Sequence, residues 1–134
     1  MLTKHAALIH TMVLVSAVDR KMSDAELGLI GRLVKYLPVF RDFDIDKLPE
    51  TAQGVAVVLQ MNDGLDRELD MIAAALSPHL RETAYALACE VAAIDRRVPF
   101  EELRLLHRLR DVFKLDPLLT VAIERATIAR LATS

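Results

Sequence analysis

Tryptophan is absent from this chain, aromatic side chains make up only 4% of it, and there is one cysteine among 134 residues. So few rings make base stacking a poor basis for function and leave alanine, leucine, valine and isoleucine to build the core, as packed helices do. The lone Cys89 excludes an intrachain disulfide, and a reducing compartment is the simpler expectation. A formal charge of −2, with arginines dispersed rather than gathered in one run, removes the usual attraction for a phosphate backbone, so nucleic acid is not an expected partner. Only four glycines are present, and they form no phosphate-binding loop. Also missing are a nucleophile elbow, a His-Glu-x-x-His pair and a Cys-x-x-Cys pair, which argues against an enzyme. The apolar run Ala6 to Val18 falls short of the ~20 residues a membrane span needs. It is expected to be a buried core helix rather than a secretory signal or a transmembrane segment.

What the chain does have is helix punctuation. The length suits one domain, 1–134, able to bury roughly two thirds of the surface its unfolded chain exposes. A first helix is expected at 3–18, apolar around most of its circumference and interrupted only by His10, Thr11 and Ser16, which is the pattern of a central helix. Ser23 and Glu26 have capping-box spacing for a second helix that Pro38 stops. A connector over 39–50 should be pinned by Phe43 and Ile45. A third helix follows Pro49 to Met61, and Asn62-Asp63-Gly64 is a turn signal before a fourth over Leu65 to Leu76. Ser77-Pro78 and Asp116-Pro117 each supply a cap and a first-turn proline, for helices over 78–94 and 117–131, and Pro99 opens another that ends near Phe113. No stretch has the pattern of a strand.

One unit is used twice. Ala17-Val-Asp-Arg-Lys-Met-Ser-Asp-Ala-Glu-Leu-Gly-Leu-Ile-Gly-Arg-Leu33 recurs as Ala93-Ile-Asp-Arg-Arg-Val-Pro-Phe-Glu-Glu-Leu-Arg-Leu-Leu-His-Arg-Leu109, with eight of seventeen positions identical. Asp19 answers to Asp95, and Glu26 to Glu102. The expected fold is all-α: one compact domain of about seven helices, in which the helix-turn-helix units 6–37 and 82–113 are related by a pseudo-two-fold.

These repeated turns resemble those of the tellurite-resistance TerB-like family, whose members carry an apolar helix, an Asp-Gly turn and a helix opening with glutamate in both halves. The likeness covers nearly the whole chain, through Phe43-Asp44, Tyr85 to Asp95 and Ala122-Ile-Glu-Arg125. Arg20 and Arg96 stand where the family has glycine. The resemblance implies a cytoplasmic, non-catalytic module of bacterial stress response that binds a protein partner, often near the cytoplasmic face of the inner membrane. It also implies a divalent-cation site at Asp19, Glu26, Asp95 and Glu102.

From the residues themselves those four acids have two readings. They can serve as caps and dipole partners worth ~0.3–1 kcal/mol each, or they can converge on a cation or an arginine. Pro99 stands at the position of Ser23 with no hydroxyl and no N–H, so a reciprocal capping box cannot account for Glu102. Hard oxygen ligands would favour calcium or magnesium over zinc, for which His5, His10, His79, His107 and Cys89 show no ligand spacing. Arg20, Lys21, Arg96 and Arg97 set fixed positive charge beside the acids and are candidates for partner contact. A metal-dependent sensor or buffer, and a small hydrolase using converging acids, are the alternative functions. Asp42, Asp44 and Asp46 imitate a calcium loop, but Lys47 and Gln53 break its register and imply a solvated connector. Glu90, set in an apolar helix, is expected at the edge of the packed face; if buried it needs a partner such as Arg96 or Arg97.

Overall fold

The computed structural model describes residues 1–18, 22–95, 98 and 100–134. Within them are seven α-helices and no strand: α1 (Lys4–Ala17), α2 (Asp24–Tyr36), α3 (Leu48–Leu59), α4 (Gly64–Ala75), α5 (Pro78–Ala93), α6 (Phe100–Phe113) and α7 (Pro117–Leu131). The all-α class is as the punctuation implies. Ser23 forms the capping box with Glu26, Ser77 caps α5 from its hydroxyl, and Asp116 caps α7 from its carboxylate. The end of α5 follows the end of α1 by 76 residues, and the start of α6 follows that of α2 by the same 76.

Helix α1 is the axis of the fold. It packs against α2, α3, α4, α5 and α6, and every residue from Ala7 to Ser16 is buried. A helix apolar on all sides can be stable only when neighbours surround it. The three polar interruptions are buried as well: Thr11 satisfies its hydroxyl by donating to the Ala7 carbonyl at 2.8 Å, and His10 reaches across to α4. By contrast α7 has one substantial neighbour, α5.

The connector departs from expectation in its anchor. Phe40 rather than Ile45 is the buried side chain, 3% against 42% exposed. A short 3-10 turn, Pro38–Phe40, swings Phe40 inward, where it meets the His5 and Phe43 rings at centroid distances of 5.8 and 6.1 Å. Asp44 accepts from the Asp46 amide at 3.0 Å, capping a second 3-10 turn, Ile45–Lys47. The acidic run is thus a capped connector.

At the α3–α4 turn the left-handed conformation falls on Asp63, φ 55°, and not on the glycine beside it. Gly64 is there for space: a Cβ would lie 2.3 Å from the Val58 carbonyl oxygen and 2.8 Å from the Leu59 Cα. Both obstacles are backbone, so the turn must open to admit a methyl group. Gly64→Ala is expected to cost about 1–3 kcal/mol, toward the upper end, through this overpacking. Urea unfolding checks it, and an unchanged midpoint would mean that the turn has slack.

Candidate binding groove

Helices α6 and α7 both pack on α5 but make little contact with each other. The gap between them is a groove of about 250 Å³ with α5 as its floor. Tyr85, Cys89, Ala92 and Ala93 form the floor; Leu103, Leu106, His107 and Arg110 form one wall; Glu124, Thr127 and Ile128 form the other. The wall residues of α6 follow the i, i+3, i+4, i+7 pattern, so one helical face supplies the whole wall. The two small side chains on α5 give the groove its depth.

Polar groups gather at one end. The Tyr85 hydroxyl donates to Glu124 Oε2 at 2.6 Å, and Arg110 Nη1 approaches the same oxygen at 3.5 Å. His107 accepts from Arg110 one turn along α6. Burial, then the bond to Glu124, pushes the Tyr85 hydroxyl well above its usual range. Burial likewise pushes the Cys89 thiol up to about 12. Both groups are therefore neutral at physiological pH, and Cys89 has none of the thiolate character a nucleophile requires. With Glu124 tied to both Tyr85 and Arg110, this end is arranged to orient rather than to transfer a proton.

Helix α7 has apolar side chains on both faces beside this groove, with Leu119 and Ile123 half-buried on the inner one. Its fully buried positions are threonines, Thr120 and Thr127, each satisfied by donating to a carbonyl of its own helix at 2.9 Å. Its apolar Leu118, Val121 and Ile128 are 82%, 53% and 64% exposed. Phe100 and Leu103 on α6 extend the exposed apolar surface, and the Arg104 guanidinium lies 5.7 Å from the Phe100 ring centre. Apolar side chains gathered at a groove mouth, unlike singly scattered ones, mark an interaction surface.

The expected acidic site is only partly within view. Asp19, Arg20, Lys21, Arg96 and Arg97, that is, both basic pairs and half of the Asp pair, lie outside the described residues. Of the remaining acids, Glu26 is buried and accepts from the Ser23 amide at 3.1 Å. Glu102 is buried at the matching place on α6. Asp95 is exposed and accepts from the Ser23 hydroxyl at 2.8 Å. That bond spans 72 residues and joins the turn before α2 to the turn after α5, a link the sequence does not announce. The Ser23 hydroxyl also accepts from the Glu26 amide, so one side chain serves the cap and the link. Oxygens of Glu26 and Asp95 thus face internal donors, and among the described residues no three histidine, cysteine or acidic side chains are gathered as a metal would require. Glu26 serves a cap and Asp95 a tie between the two turns.

Glu90 has a partner that the sequence did not suggest. Its side chain is 14% exposed and pairs with Arg130 of α7, while the expected partners Arg96 and Arg97 lie outside the described residues. The helix that follows α6 in sequence returns over α5 and brings Arg130 to it, a contact local spacing could not reveal.

One pairing was not foreseen from the sequence. His10 of α1 and Glu68 of α4 are 4% and 0% exposed and are hydrogen-bonded through His10 Nδ1 and Glu68 Oε1. Glu68 Oε2 has no partner among the described residues. Gly54 of α3 stands over the other side of the imidazole, where a Cβ would lie 3.2 Å from Nε2. A signal did exist: Glu68 occupies the apolar stripe Leu65, Leu69, Ile72, Leu76, and an acid there must find a partner.

No family profile, curated protein or solved structure matches the chain. What fold and site define together is a class: an all-α domain with an apolar groove opening between two helices splayed over a third. No helix among the described residues is long and apolar enough to cross a membrane.

Proposed function

We propose that this protein is a non-catalytic binding module that engages a protein partner through the α5–α6–α7 groove and the adjoining face of α7. The observation that carries the reading is the outer face of α7, where Leu118, Val121 and Ile128 are exposed beside the groove. Leaving those side chains in water forgoes a transfer gain of roughly 25 cal/mol per Å² of apolar surface, which a partner recovers. Binding rather than turnover also suits a groove whose thiol and phenol are held neutral and whose carboxylate is already paired. The place of the module in a TerB-like, cytoplasmic stress response of the tellurite-resistance kind rests on the resemblance of its repeated turns.

A photo-crosslinking amino acid tests the reading in cells that make the protein. At position 128 it should yield a discrete protein adduct, whereas at Met71, exposed on α4, it should not. Leu103→Arg at the groove mouth should diminish the adduct without lowering the melting temperature. Equal labelling from both positions, or none from 128, would sink the proposal.

A further inference from the structure

The groove and the α7 face specify more than an unnamed protein. Leu118, Val121, Arg125 and Ile128 fall at i, i+3, i+7 and i+10, so they form one stripe along the helix. At 1.5 Å per residue the stripe is about 15 Å long, which matches an amphipathic helix of about three turns. Ile128 belongs to both stripe and groove wall, so the two surfaces are continuous. The groove is too small for a helix backbone but can admit apolar side chains from a helix lying across its mouth, the anchor arrangement of helix-in-groove recognition.

Charge narrows the occupant. Arg125 is exposed within the stripe and has no acidic partner among the described residues, unlike Arg108, Arg110 and Arg130, which pair with Asp66, Glu124 and Glu90. Arg104 on α6 has the Phe100 ring as its neighbour. A second copy of this chain is a poor complement. In-register pairing of the stripe with itself sets Arg125 against Arg125, and antiparallel pairing about its centre sets Arg125 against Val121. The stripe offers no acid in either case.

We infer that the partner element is an acidic amphipathic helix, placing apolar side chains between Leu103 and Ile128 and a carboxylate against Arg125. This rests on the groove being the binding site, and the test separates the two claims. A displayed library of helix-forming peptides with randomised faces is selected on the full chain and counter-selected on the Leu103→Arg/Ile128→Arg variant. Both substitutions are at exposed positions, and circular dichroism confirms that the variant keeps its helices.

Recovered sequences should share apolar residues at i, i+3 or i+4, and i+7, with Asp or Glu on the flank. A recovered peptide should bind about tenfold more weakly to Arg125→Glu, and exchanging its flanking Glu for Lys should restore the affinity for that variant. Raising the salt concentration should weaken the wild-type complex. Groove-dependent peptides that are basic or non-helical would overturn this inference while leaving the groove as the binding site. Concentration-dependent dimerisation abolished by Ile128→Arg would overturn it in favour of a second copy. Failure to recover any groove-dependent peptide would remove both claims.

Discussion

Glu68→Leu alone should destabilise the protein by about 3 kcal/mol, while the double variant His10→Leu/Glu68→Leu should return to within about 1.5 kcal/mol of the parent. The pair is sealed between α1, α3 and α4, with Gly54 against the imidazole. Removing the carboxylate leaves a polar ring nitrogen in a site that water cannot reach, and the full desolvation cost of that group appears as lost stability. Removing both partners leaves no orphan and substitutes side chains of comparable bulk, so most of the loss is recovered. For a chain of this length 3 kcal/mol corresponds to roughly 10–15 °C in melting temperature. Circular dichroism melts of the parent, both single variants and the double variant form a cycle that isolates the coupling. Additive losses would show that the two side chains do not depend on each other.

The largest effect is expected at the axis of the fold. Leu8 and Val15 are both 0% exposed on α1. Leu8→Asp or Val15→Asp must bury an uncompensated charge or protonate it and still lose the packing, at a cost of about 4 kcal/mol or more. Such a loss takes most of the stability of a domain whose total is about 5–15 kcal/mol. Both variants should be largely unfolded or insoluble at 37 °C, as read by circular dichroism and the soluble fraction. Melting like the parent would mean that α1 is not the core helix its burial describes.

The His10–Glu68 pair shows how local and tertiary information divide. Each residue by itself stands out in its apolar stripe, but only packing shows that the two oddities answer each other across 58 positions. The Ser23–Asp95 bond is similar: the cap at Ser23 is local, and its second use appears only when α5 brings the other turn alongside. Glu90 and Arg130 meet for the same reason.

The sequence by itself determined the all-α class, the number of helices and most of their ends, because caps, prolines and the i, i+4 amide ladder act within a few residues of the chain. It also determined that α1 is central, since a helix without a polar face can be stable only in the interior. The groove was decided by tertiary structure alone. Helix α7 is apolar on opposite sides, so periodicity does not choose which side meets α5. The choice that buries Thr120 and Thr127 leaves Leu118, Val121 and Ile128 in water. The floor is equally silent in sequence, because Ala92 and Ala93 look like ordinary core residues until α6 and α7 separate above them. A groove is a relation among three helices, set by which faces the chain can bring together, and no single segment encodes it.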